Sequence, residues 1–302
     1  MEKLRRFVQL VSVFAANPWL FSSWRNNSPI YRGVLKHLCF PGLNCYSCPA
    51  ASMSCPVGAI QNFITSFRMN FHAGIFQPGL YVLGSLGVVA SVVGRAPCGW
   101  LCPFGLVQEV IFKIPVRKFE VWRPLRWGRY VSLVIFVILL PFLLTDSTGY
   151  GVTWFCKYIC PAGTLEAGLP LLWFEPALRE SVGWLFVHKV AILCLIIGWS
   201  AVTLRPFCRT LCPLGLFLGL FNRISWLQLH FDTERCVECK VCTAICPAGV
   251  SFYDGRDDIN SSHCIRCMRC LGICPGASVD ISFSPFIRNS RDEKKTCSCH
   301  WK

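Results

Sequence analysis

The sequence predicts an all-α, polytopic membrane domain of about four transmembrane helices, followed by a small α+β domain built around cysteine runs. Three observations carry this expectation. Of 302 residues, 53% are hydrophobic and only 15% are charged, against roughly 25% charged in soluble domains. Four long stretches are almost free of charge. The C-terminal part holds two copies of one tight cysteine pattern. The expected division is a membrane domain over 1–228, a cytoplasmic domain over 229–285 and a polar tail over 286–302. That tail contains Cys297-Ser-Cys299-His300.

The first apolar stretch, 7–24, follows the basic cluster Lys3, Arg5, Arg6 and is weakened by Asn17 and Pro18. The second, 73–94, is uncharged for 22 positions, enough to cross a hydrocarbon core of roughly 30 Å. The third, 130–145, is shorter but strongly apolar. In the fourth, 181–204, only His188 and Lys189 interrupt the run, and the lysine is expected to snorkel at its mouth. No small-residue cleavage site follows the first stretch, so it is expected to remain as an anchor.

Charge sets the expected orientation. The net charge is +14, from 30 basic and 16 acidic residues. In a membrane chain this fits cytoplasmic loops and lipid headgroups rather than nucleic acid. The loop 94–129 holds seven basic residues and two acidic ones, whereas 146–180 holds two basic and four acidic ones. The first is therefore expected inside and the second outside, with both termini and the cysteine-run domain in the cytoplasm. Residues 25–72 then read as an outer loop, although Arg25, Arg32, Lys36 and Arg68 are basic.

The cysteine runs are Cys236-x2-Cys239-x2-Cys242-x3-Cys246-Pro and Cys264-x2-Cys267-x2-Cys270-x3-Cys274-Pro. This spacing fits a pair of [4Fe–4S] cubes, three thiolates coming from one loop and the fourth from the other run. One cube takes Cys236, Cys239, Cys242 and Cys274; the other takes Cys264, Cys267, Cys270 and Cys246. A zinc site or a disulfide scaffold does not explain two triplets each trailed by Cys-Pro.

The apolar part has its own repeat, C-x3-C-P-x-G. It occurs at Cys98/Cys102, Cys156/Cys160 and Cys208/Cys212, with a variant made of Cys39, Cys45, Cys48 and Cys55. Each pair is half a cube's ligand set, so it needs a partner. Motifs after successive crossings alternate sides. Cys98, Cys102, Cys208 and Cys212 are thus expected to share an inner cluster. An outer cluster is expected on Cys156 and Cys160 with two of Cys45, Cys48 and Cys55. Alternatively, Cys39, Cys45, Cys48 and Cys55 hold one unaided. Packing cysteines beside prolines, or a thiol–disulfide relay, are the competing explanations.

The two runs from Cys236 to Cys274 resemble the bacterial two-cluster ferredoxins. Together with Cys98/Cys102-Pro and Cys208/Cys212-Pro, they make the chain resemble the membrane polyferredoxins of the NapH/NosR type. That resemblance implies electron transfer between a cytoplasmic donor, such as a ferredoxin or flavoprotein, and an extracytoplasmic or membrane redox protein, within a larger complex in the inner membrane. The Cys156/Cys160 pair and the Cys39–Cys55 group depart from that pattern, and no flavin-binding domain is evident. No nucleophile–base pair or nucleotide-binding glycine motif is visible, so the clusters would carry the chemistry. A quinol-oxidising or metal-reducing oxidoreductase, and a redox-sensing assembly or regulatory factor, are the other functions compatible with the residues.

Overall fold

The computed structural model describes residues 2–18, 31, 33–72, 80–146 and 150–283. The tail with Cys297, Cys299 and His300 lies outside these, as do parts of the first two apolar stretches. The described chain is mostly helical, with one two-stranded sheet near its end.

Helix α1 (Glu2–Ala16) turns its polar stripe inward. Arg5, Gln9, Ser12 and Ala16 are buried, while Leu4, Phe7, Leu10, Val11 and Phe14 are exposed. Both sets follow the i, i+3, i+4 spacing of one helical face. Apolar-out, polar-in is the arrangement a lipid-facing helix adopts around a polar interior. Its first turn meets the C-terminal domain, where Glu2 pairs with Arg269 at 3.5 Å. Its last turn meets the 39–55 segment, where the Asn17 amide donates to Asn44 Oδ1 at 3.0 Å.

Helix α2 (Pro56–His72) replaces part of the expected outer loop. Its apolar positions are interrupted by Gln61, Asn62 and Thr65, which hide it from a hydropathy reading. Thr65 is fully buried, and Gln61 donates to the Phe136 carbonyl at 2.9 Å. These polar groups thus face protein rather than lipid. Helix α3 (Leu80–Val93) packs beside α2 and leads directly into the Cys98 loop.

Among the described residues, two helices are long and apolar enough to cross a membrane, α4 (Arg123–Leu143) and α5 (Trp184–Val202). They run in opposite senses relative to the C-terminal domain. The first turns of α4 place Arg126 and Arg129 against Gly249 and Ser262 of that domain. The first turns of α5 lie at the other end, where Lys189 Nζ donates to the Cys156 carbonyl at 3.4 Å. Lys189 therefore reaches inward to a cysteine loop rather than snorkelling outward, because that carbonyl offers its ammonium a partner inside the protein. The middle of α4, Ser132–Leu139, is π-helical.

The C-terminal domain is closed by β1 (Leu227–Phe231) and β2 (Val279–Phe283), antiparallel with Leu227 opposite Phe283. Leu227, Leu229 and Val279 are buried beneath them. Gln228 is buried too, and its amide donates to the carbonyls of Asn222, Arg223 and Ser225. It ties the strand to the end of the membrane part.

Candidate functional site

In both runs of the C-terminal domain, the residues flanking the second cysteine adopt left-handed backbone. Glu238 and Lys240 do so around Cys239, and Arg266 and Met268 around Cys267. Non-glycine residues take this conformation at a cost of about 1–3 kcal/mol. Its repetition at matched positions gives the two loops the same bend. Cys242, Cys246, Cys264, Cys267 and Cys270 line one cavity. Cys242 lies within electrostatic reach of Cys236 and Cys239. Gly276, two residues past Cys274, packs against the Arg235 carbonyl beside Cys236. The segment just past Cys274 thus lies beside the first triplet, while Cys246 lines the cavity of the second run.

The two C-x3-C-P-x-G pairs nearest this domain converge. The sulfurs of Cys98, Cys102, Cys208 and Cys212 are all buried and lie within electrostatic reach of one another. Phe104 and Phe207 stack edge to face at 5.3 Å between the halves. Two arginines cross between the pairs. Arg95, three residues before Cys98, donates to the Cys208 carbonyl at 2.7 Å. Arg205, three residues before Cys208, donates to the Cys98 carbonyl at 2.6 Å. Gln108 adds a hydrogen bond to Cys208 Sγ at 3.2 Å.

A second set converges at the other end. A cavity of about 270 Å³ is lined by Cys45, Cys55, Cys156 and Cys160, with Lys157 and Lys189 on its wall. Each of these four sulfurs is within electrostatic reach of at least one other. Cys48 and Cys39 stay out of the cavity. Cys48 is packed with Ala50 and Ala51 and points at Asn17 Oδ1, 3.9 Å away. Cys39 bridges to Ser54. Glu166 accepts the Cys45 N–H at 2.7 Å and so fixes the loop that presents that sulfur.

One detail recurs in two copies of the repeat. The glycine N–H donates to the sulfur of the cysteine three residues earlier, Gly163 to Cys160 at 3.4 Å and Gly215 to Cys212 at 3.3 Å. Such N–H···S bonds steady a thiolate at the positive end of a short helix.

The sites touch. Gly99, between Cys98 and Cys102, packs against the Ile265 carbonyl and Cys267 Cα. Trp100 Nε1 donates to the Arg266 carbonyl at 2.9 Å. On the other side, Gly42 packs against Cys102 Cα and the Leu43 backbone lies near the Cys102 sulfur, while Leu43, Asn44 and Cys45 line the far cavity. Two residues of chain, at most about 7 Å, therefore separate Leu43, at the inner set, from Cys45 of the outer one.

The residues fit iron–sulfur cubes. The donors are thiols in fours, the inner set is enclosed by protein, and backbone N–H groups point at several of the sulfurs. Among the described residues, no three such side chains cluster tightly enough to hold a single metal ion, whereas a cube spreads its ligands round four corners. The surroundings are also positive. The five bulkiest fully buried side chains among the described residues are all arginines: Arg5, Arg95, Arg129, Arg205 and Arg266. Sequence reading missed them, because it assigned their charge to cytoplasmic loops. The Arg-x2-Cys spacing shared by Arg95 and Arg205 was the available signal.

Comparison with known proteins agrees with this chemistry. A 4Fe-4S binding domain matches residues 77–121, 127–169 and 182–233, one C-x3-C-P pair in each. A 4Fe-4S dicluster domain matches 228–275. The chain is 29% identical over 217 residues to an uncharacterized protein of Methanocaldococcus jannaschii, covering 65% of this chain and 79% of that protein. It is 28% identical over 253 residues to the methylamine utilization ferredoxin-type protein MauN of Methylorubrum extorquens, covering 80% and 73% respectively. It is 27% identical over 216 residues to the regulatory protein NosR of Pseudomonas aeruginosa, covering 68% of this chain and 28% of NosR. No solved structure matches.

Proposed function

The chain is a ferredoxin-like, 4Fe-4S-binding electron-transport protein of the NapH/NosR type, and on that footing we propose that it carries electrons through four cysteine sites in series. The series begins at Cys236, Cys239, Cys242 and Cys274 and continues to Cys264, Cys267, Cys270 and Cys246. It then enters the membrane domain at Cys98, Cys102, Cys208 and Cys212, and ends at Cys45, Cys55, Cys156 and Cys160. Each bound cube would supply one-electron redox chemistry. The chain's own residues hold the sites at short spacing, exclude water from the inner one and balance its charge.

The observation that carries this reading is the contact on either side of the inner site: Gly99 and Trp100 on the Ile265–Cys267 loop, and Gly42 on Cys102. In this reading the membrane domain spans about four times. Helices α4 and α5 supply two crossings, and α1 and α3 belong to the other two. The 39–55 segment returns into the protein from the outer side, which irregular backbone tolerates only when protein covers it. The donor end is cytoplasmic, and the acceptor is an extracytoplasmic or membrane redox partner.

Two serine variants test the outer ligand set. Cys45→Ser is expected to lose one cube of four, about a quarter of the iron, while Cys48→Ser keeps it all. Loss of iron from Cys48→Ser with none from Cys45→Ser would sink the assignment.

A further inference from the structure

We propose that Arg95 and Arg205 set the reduction potential of the inner site, raising it above that of the outer site. The inference rests on reading the inner cysteines as cube ligands. It concerns what the arginines do there beyond holding loops.

Both side chains are buried, with 2% and 1% exposure. Each belongs to one half of the site and lands on the other. Arg205 shares the Glu109 carboxylate, at 2.7 Å, with Arg5 and Arg269. Three guanidiniums around one carboxylate leave an excess of positive charge. Among the described residues Arg95 meets no carboxylate. It donates to the carbonyls of Cys208, Ser262 and His263 and lies within electrostatic reach of the Cys98 sulfur. Its charge has no neutralising partner in the protein around it. An electron added to a buried cube adds negative charge where dielectric screening is weak, so fixed cations beside it favour the reduced form.

The outer site lacks this device. Three residues before Cys156 stands Thr153, which lines the cavity where an arginine would otherwise reach. The charges there are of both signs, Glu166 on the Cys45 N–H against Lys189 on the Cys156 carbonyl and Lys157 on the cavity wall, and the cations are lysines rather than guanidiniums laid across the cysteine loops. The glycines agree with the division. A Cβ on Gly215 would fall 2.4 Å from Arg95 Nη2, and one on Gly105 would fall 3.1 Å from Arg205 Cζ. On Gly163 and Gly58 it would meet nothing closer than 3.6 Å and 3.4 Å. Only in the inner copies does the motif's glycine make room for a guanidinium. An electron arriving from the ferredoxin domain would therefore rest at the inner site and move outward when a partner draws it.

The test is a redox titration of the purified holoprotein followed by EPR, with iron measured in parallel. Arg95→Met should shift the midpoint potential of one membrane cube to more negative values at unchanged iron content. Arg95→Lys should recover part of that shift. Full iron with no midpoint moved in Arg95→Met overturns the proposal. If Arg95→Met instead loses the inner cube, the wild-type order decides. With the outer cube removed by Cys45→Ser, the membrane cube that remains should be the higher-potential one of the wild-type pair, and the opposite order overturns the proposal. A Cys98→Ser variant with undiminished iron would show separately that the inner ligand assignment is wrong.

Discussion

At the N-terminus of a helix the first N–H groups lack intrahelical partners. Cys102, Cys160 and Cys212 each stand at the N-cap, with proline next, where a missing N–H costs nothing. At Cys160 and Cys212 the sulfur accepts the glycine N–H, the role that serine or aspartate oxygen usually fills. In those two copies the Cys-Pro-x-Gly motif is thus a helix start capped by a thiol. Gly99 has a different duty, close approach between two sites. A Cβ there would fall 2.5 Å from the Ile265 carbonyl, which is backbone and cannot swing aside. Gly99→Ala should therefore force the inner loop off the ferredoxin domain. The expected cost is about 1–3 kcal/mol, with weakened magnetic coupling between the neighbouring cubes. Gly163→Ala, with 3.6 Å of room, should change thermal stability little. Equal melting temperatures for the two variants would refute the close-approach argument. The cysteine pairs, and the nearness of Cys98 and Cys102 to Cys208 and Cys212, were readable from spacing and alternation. The arginines were not, because a buried counter-charge and a cytoplasmic loop charge look identical in a sequence.

The short helix Pro103–Ile111 shows how an element joins distant parts of the chain. Its Glu109 pairs with Arg5 of α1 at 2.6 Å, Arg205 before α5's successor loop at 2.7 Å and Arg269 of the ferredoxin domain at 3.1 Å. Burial opposes ionisation of this carboxyl, but the guanidiniums of Arg205, Arg5 and Arg269 outweigh it and hold the carboxyl down at about 2. A depressed carboxylate contributes its stability above its ordinary value of 4.5 and loses it as pH falls from there toward about 2. Glu109→Gln should remove that acid-sensitive component and cost about 3–5 kcal/mol at neutral pH, since it strands buried charges. Thermal unfolding across this pH range checks both statements. A variant as stable as wild type at pH 7 would contradict them. Hydropathy found α4 and α5 readily because they are apolar on every side. It passed over α2, whose Gln61 and Thr65 face protein, and read 25–72 as a loop. Amphipathic α1 was seen as apolar but not as a helix with its polar face inward.

For the molecule as a whole, the buried arginines give the net charge of +14 a second use. Cubes held by four thiolates carry net negative charge, and a protein that encloses several of them needs cations in its interior. The arginines between the ferredoxin domain and the inner cysteine set would supply these in the proposed series of two ferredoxin sites, an inner site and an outer site. Anaerobic determination of iron and acid-labile sulfide on the purified chain tests this most directly. Four cubes predict about 16 iron and about 16 sulfide per chain. A value near 8, the ferredoxin domain alone, would show that the membrane cysteines hold no cluster and that the series does not exist.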